Sequence, residues 1–228
     1  MEIFISIDGV LRNTIQKFDY HYFDYFLNSE LEEGQETFEY GKDDDVQNDN
    51  LLKYYKFQSK EEFENFLFID YPIEIFGHAV QSYQGVINDL NTLIYENKEH
   101  NFTLVGMDEL GKSKPASLFF LSRYGCLINN IKFISSSDLK KQWNKCDVWI
   151  TDDKRIVDSC PNGKTVVKFK TQYNQYFTNQ IEIDKLLETN KLWLKSSENI
   201  ITSTLMRLQK FVEPVTRLRK MMGVRHKK

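Results

Sequence analysis

Alanine occurs only twice in this chain of 228 residues, at Ala79 and Ala116, although it is among the commonest residues of folded domains. With 23 Lys against 7 Arg, and with Phe, Tyr, Asn and Ile plentiful, the shortage tracks AT-rich codons and reports on the genome before the fold. Cysteine is scarce as well. Cys126, Cys146 and Cys160 are an odd number at unhelpful spacings, and the four histidines (His21, His78, His100, His226) join them in no zinc pattern. Neither a disulfide framework nor a structural zinc site is expected. No apolar run approaches the roughly 18 residues of a membrane helix, and the first ten residues carry Glu2 and Asp8 where a signal peptide carries bases. The chain reads as soluble and intracellular, with no membrane partner. What is present is 41% hydrophobic and 14% aromatic, enough apolar side chain for one real core with a small insert.

The net charge of −3 conceals two opposed regions. Between Asp19 and Asp49 stand eleven carboxylates and one Lys, a net of −10, whereas Arg207 to Lys228 holds eight bases and only Glu213, a net of +7. An acidic stretch of this kind is ordinarily a solvated face or loop. In the basic tail Leu205, Leu208, Phe211, Val212, Val215, Leu218, Met221 and Met222 recur at helical spacing, so an amphipathic helix is expected, bent or split at Pro214. Bases interleaved with an apolar stripe leave three readings open: a helix docked on a protein, an arm on nucleic acid, or a solubilising end. Docking suits the stripe at least as well as contact with a polyphosphate.

Residues 2–7 alternate and are β-branched or aromatic, which predicts a buried strand ending in the Asp8-Gly9 turn. Residues 18–26 and 61–68 look helical, separated by the acidic 34–50 segment. The clearest helix is expected over 79–97, with Val80, Tyr83, Val86, Ile87, Leu90, Leu93 and Ile94 on one face. Strands at 102–105, 131–134, 148–150 and 165–169 then alternate with helices at 114–124 and 138–143. This order predicts a three-layer, Rossmann-like α/β fold, with a parallel sheet between helices and chemistry at the strand ends after Ile7, Val105, Ile134 and Ile150. Residues 1–14 and 77–183 form the core in this reading, 15–76 an acidic, mainly helical insert, and 184–228 the basic helical tail.

Two strand ends carry the informative residues. The first reads Ile5-Ser6-Ile7-Asp8-Gly9-Val10-Leu11, and the other reads Ile150-Thr151-Asp152-Asp153. Alone, Asp8-Gly9 is an ordinary turn and Asp152-Asp153 a helix cap. Together, in this order and with a helical insert directly after the first strand, they resemble the haloacid dehalogenase (HAD-like) superfamily over roughly residues 1–169, and within it the deoxyribonucleotidase-type members, whose caps occupy this position. The resemblance implies a magnesium-dependent phosphomonoester hydrolase with an aspartate nucleophile two residues before a second, acid Asp. Asp8 matches the second Asp, but Ser6 stands at the nucleophile position, and no neighbouring base in the sequence equips its hydroxyl to attack. Gly106 and Met107 stand where Ser or Thr would hold the phosphoryl group. Lys140, Lys141 and Lys145 are candidates for the family's lysine, and Asp152 with Asp153 matches its acidic pair.

A competing motif overlaps the second strand. Gly106-Met107-Asp108-Glu109-Leu110-Gly111-Lys112-Ser113 fits the phosphate-loop pattern G-x-x-x-x-G-K-[ST], in which Gly106, Gly111, Lys112 and Ser113 would cradle a nucleotide. Asp108 and Glu109 place two negative charges where backbone N–H groups must receive a triphosphate. Ser135, Ser136 and Ser137 could hold a phosphate, but Ser137 or Asp138 suits a helix N-cap better. Trp143, Trp149 and Trp193 read as core or interface residues.

The sequence thus points to a HAD-like fold whose catalytic set has decayed around Ser6, Asp8, Gly106 and Lys140. Such a protein would serve as a structural, binding or assembly subunit without a required cofactor. Its acidic insert and basic tail would meet protein partners, as a homo-oligomer or within a larger assembly. AT-rich usage suits a low-GC bacterium or its phage, so a virion is a second expected location beside the cytoplasm. Two alternatives stay open. One is a phosphatase or 5′-nucleotidase with an altered nucleophile, in which Asp8, Asp152 and Asp153 hold magnesium; the other is the phosphate-loop nucleotide binder.

Overall fold

Ile3, Phe4 and Ile5 are fully buried, as a strand covered by helices on both faces requires, and they form the middle of β1 (Glu2–Ser6). The computed structural model describes residues 1–24, 46–47, 51–55 and 57–191. Within these, β1 is flanked by β2 (Asn101–Met107) and β4 (Val148–Thr151), with Ile3 paired to Phe102 on one side and Val148 on the other. Adding β3 (Ile131–Ile134), β5 (Thr165–Phe169) and β6 (Glu182–Ile183) gives a parallel sheet of order β3-β2-β1-β4-β5-β6. The predicted α/β, Rossmann-like sheet is therefore present. Its order reverses at β1, so the carboxyl ends of β1, β2 and β4 open on one crevice.

One half of the core lies behind these strands. Phe4 meets Trp149 edge-on, with ring centroids 5.4 Å apart, and Trp143 lies 5.2 Å from Trp149. Trp143 belongs to α5 (Leu139–Trp143), and both indoles are almost completely buried, as their expected core role requires.

A second aromatic cluster fills the insert. Phe18 and Tyr22 of α1 (Thr14–Tyr22) pack with Tyr55, with Phe66 and with Phe76. Around Phe18 the rings of Tyr55, Phe63 and Phe66 all stand edge-on, at 4.5 to 5.8 Å. Helix α1 starts at Thr14, capped by the Asn13 side chain on the Gln16 N–H, earlier than the aromatic pattern alone suggests. The helix expected over 61–68 divides. Residues Lys60–Asn65 form α2, capped by Ser59, and Phe66–Asp70 and Ile73–Gly77 wind more widely, with Tyr71 donating to the Phe66 carbonyl and His78 to that of Ile73.

The helix expected over 79–97 is shorter than its periodicity. Helix α3 spans Val86–Glu96, after Gly85 at φ +89°, and Val80 is 47% exposed. Residues 80–82 instead run beside 10–13: Asn13 donates to the Val80 carbonyl, Ser82 to that of Leu11, and Arg12 bridges Gln81. These bonds join the segment leaving the sheet to the segment returning to it, a long-range pairing that helical spacing cannot disclose. Helices α4 (Lys114–Arg123) and α6 (Lys154–Asp158) complete the layers. The two-residue strand β6 escaped the sequence because it is too short to show alternation.

Residues from Glu188 belong to a second unit. The acidic stretch at 25–45 and 48–50, the proposed amphipathic tail from Leu205 to Met222, and Trp193 lie outside the described residues. Among the described residues no helix is long and apolar enough to cross a membrane.

Candidate functional site

The crevice at the strand ends is a cavity of about 420 Å³, lined on one side by residues of α1 and of the 51–68 segment. Its floor includes Asp8, Gly9, Met107, Glu109, Ser136, Asp152 and Asp153, supplied by the loops after β1, β2, β3 and β4. The structure therefore gathers Asp8, Asp152 and Asp153, which stand up to 145 residues apart in sequence.

Each of these carboxylates has a particular setting. Asp8 Oδ1 accepts from Arg12 Nε at 2.8 Å and from the Thr14 hydroxyl at 2.5 Å. Arg12 is wholly buried, and its remaining donors go to the Phe76 carbonyl and the Ser117 hydroxyl, each at 3.0 Å, while its guanidinium lies 4.7 Å from the centre of the Phe76 ring. Asp153 caps α6 and accepts from the backbone and guanidinium of Arg155, the closest contact being Nη2 at 2.6 Å. Hydrogen bonding to Asp153 raises the Arg155 pKa above its ordinary value, so this guanidinium stays charged. Asp152 is buried and packed on Gly9, where a Cβ would lie 1.9 Å from the Asp152 Cγ. Only glycine fits there, and its φ of +72° is a second reason.

Ser6 does not face the cavity. Its hydroxyl donates to Thr151 Oγ1 at 2.9 Å, accepts from the Trp149 indole N–H at 3.2 Å, and is buried in the sheet layer. Lys140, Lys141 and Lys145 are all exposed and none lines the cavity; Lys141 pairs with Asp138 instead. Each lies on or after α5, beyond the loop that reaches the crevice. Among the described residues the cations that do line it are Lys60, Arg155 and Lys170. Arg12, which acts from behind Asp8, was missed by sequence reasoning. Its one signal is a base four residues beyond the Asp-Gly turn.

The phosphate-loop reading meets a direct physical obstacle. Gly106 lies inside β2, where a Cβ would stand 2.9 Å from the Phe133 ring, so close packing explains the glycine. The buried Asp108 carboxylate accepts from the Lys112 N–H at 3.0 Å and the Ser113 N–H at 2.9 Å, occupying donors that a phosphate would need. Lys112 and Gly111 are exposed. Asp108→Ala is expected to lower stability by about 2 kcal/mol, because a buried donor at Ser113 and a part-buried one at Lys112 lose a charged acceptor. In the same denaturation series ATP should not stabilise the wild type, and Lys112→Ala should change nothing. Ser136 is similarly engaged, its N–H donating to both Glu109 oxygens at 3.0 and 3.2 Å.

The fold was compared with known proteins. No family model matches the sequence, and no curated protein matches it. Among solved structures, a haloacid dehalogenase-like hydrolase from Bacteroides fragilis superposes with a TM-score of 0.51 at 11% identity, over 82% of this chain and 98% of that one. The fold is HAD-like. Hydrolases of the same description from Burkholderia xenovorans LB400 (13% identity, TM-score 0.48, 85% and 97% covered) and Xanthomonas campestris (10%, 0.46, 82% and 91%) also match.

A HAD-like fold implies magnesium, which binds through few carboxylates in near-octahedral oxygen geometry. The residues here do not fit it. The Ser6 hydroxyl is engaged within the sheet by Thr151 and Trp149, Asp8 Oδ1 already holds two donors, and Arg155 grips Asp153. Among the described residues no three His, Cys, Asp or Glu side chains are grouped to hold a metal ion.

Proposed function

We propose that this protein is a catalytically degenerate HAD-like protein, with a layout nearest to the deoxyribonucleotidase-type members, that acts as a binding or assembly subunit. The observation carrying this reading is the buried Arg12 guanidinium on Asp8. In the family that carboxylate donates and recovers a proton beside the reacting phosphate. Here its Oδ1 is committed to a permanent cation and to Thr14, and the nucleophile position is a buried serine without a base.

The separated charges support an assembly role. The −10 segment and the +7 tail are complementary and can steer head-to-tail association with further copies or other subunits, a phage particle being one setting that suits the AT-rich composition. The basic tail would dock on protein, with nucleic acid as the lesser alternative.

The test is phosphate release from nucleoside monophosphates with magnesium by the full-length protein. No release above the buffer blank is expected. Turnover that disappears in Asp8→Ala would replace this reading with that of a nucleotidase using an altered nucleophile. A mass measurement on the same preparation should show species larger than the 27.1 kDa monomer, and a strict monomer would remove the assembly role.

A further inference from the structure

The cavity has the size of a small-molecule site and is lined by more carboxylates than cations among the described residues. Sites for small ligands enclose about 300 to 1,000 Å³, and this one encloses about 420 Å³. The apolar side chains of its upper wall are Ile15 of α1, Leu51, and Phe63 of α2, each half-buried, with Phe18, Leu67 and Phe68 buried; Lys60 and Glu64 of α2 share this wall. Among the described residues five carboxylates line the cavity against three cations. Each of those cations already has a carboxylate partner, Lys60 with Glu64 at 3.0 Å, Arg155 with Asp153 at 2.6 Å and Lys170 with Asp184 at 2.7 Å.

A phosphate monoester entering this space would bring up to two negative charges beside the floor carboxylates. To gain Arg155 it would have to compete with the half-sheltered Asp153, and the more exposed Lys60 and Lys170 pairs hold their cations only weakly. An uncharged molecule meets neither cost, and the apolar side chains of the wall offer it surface to cover. Carboxylate oxygens accept hydrogen bonds and cannot donate them, so the end of the ligand that reaches the floor must carry O–H or N–H.

We propose that the cavity binds an uncharged small molecule with an apolar, ring-containing body against Ile15, Leu51 and Phe63 and a hydroxyl or amide N–H toward the strand-end carboxylates, and that it discriminates against phosphorylated ligands. This inference rests on the degenerate reading above, because a working phosphatase site must welcome the group excluded here.

A matched pair of probes tests it. The full-length protein is titrated with 2-naphthylmethanol and with 2-naphthylmethyl phosphate, following naphthalene fluorescence, and phosphate release is measured in the same samples with magnesium. The alcohol should bind saturably at one site and at least about tenfold more tightly than the ester. Phe63→Ala and Ile15→Asn, both at half-buried positions, should each weaken the alcohol about tenfold while the thermal transition persists. Asp153→Asn keeps a capping side chain but releases Arg155, and should improve ester binding about tenfold.

An ester that binds as tightly as the alcohol, an alcohol that does not saturate, or alcohol binding indifferent to both wall variants would each overturn the inference. Without phosphate release, such a result leaves the degenerate reading standing. Release from the ester would instead overturn that reading, whichever ligand binds.

Discussion

Arg12→Ala is expected to lower the stability of the sheet domain by about 3 to 4 kcal/mol, toward the lower end of the range for removing one member of a buried ion pair. Arg12 is completely buried and uses its donors on Asp8, Phe76 and Ser117. Its loss leaves a buried carbonyl and hydroxyl without that donor, removes the contact with the Phe76 ring and opens a void. Asp8 keeps a side-chain exposure of 26%, so water can reach it and the full cost of an isolated buried charge is avoided. At about 2 to 4 °C per kcal/mol for a chain of this size, the midpoint of thermal unfolding should fall by about 10 °C. Arg12→Lys keeps the charge but cannot bridge three acceptors with a planar fork, and should fall between the two. Thermal and urea denaturation would check both variants. A loss below about 1 kcal/mol in Arg12→Ala would show that the guanidinium does not hold the Asp8 loop to the returning segment at Phe76.

Gly9→Ala should cost about 3 kcal/mol for two separable reasons. A side chain at φ +72° costs about 1 kcal/mol or more, and its Cβ would overlap the Asp152 carboxyl group, adding an overpacking cost of about 1 to 3 kcal/mol. The overlap makes a non-additive prediction. Asp152→Ala should be less costly in the Gly9→Ala background than in the wild type, because truncating Asp152 relieves the collision. Strictly additive losses in urea denaturation would mean that Gly9 is required by its backbone angle alone.

The strand-rich half of the fold was legible because buried parallel strands leave a local record. Ile3 to Ile5 and Val148 to Ile150 are short apolar runs whose side chains are among the most buried, and β3 is apolar but for Lys132, with Ile134 buried. Residues 79–85 were misleading because their apolar spacing continues that of α3, while their backbone groups are used by the strand-end loop at 10–13. The phosphate-loop match misled for a related reason. A pattern of residue types does not state where an N–H points, and the Lys112 and Ser113 N–H groups point at Asp108.

The candidate site was legible in its acids and illegible in its bases. Asp8, Asp152 and Asp153 follow strand ends, and strand ends converge by topology, so their meeting in one cavity follows from the order of elements. Lys140, Lys141 and Lys145 were drawn from the stretch before β4, yet a helical turn directs a side chain to whichever face packing leaves open, and all three are exposed.

By itself, then, the sequence determined the parallel α/β order, the strand-end acids, the serine at position 6 and the opposed charge of insert and tail, because each is a matter of residue type and short-range spacing. Only the tertiary structure decided that Arg12 neutralises Asp8, that Arg155 holds Asp153, that Ser6 turns into the sheet toward Trp149 and that a partly apolar wall faces the acids. The physical reason is that charge compensation and cavity shape act across a few ångströms of space, between groups whose separation along the chain carries no record of their meeting.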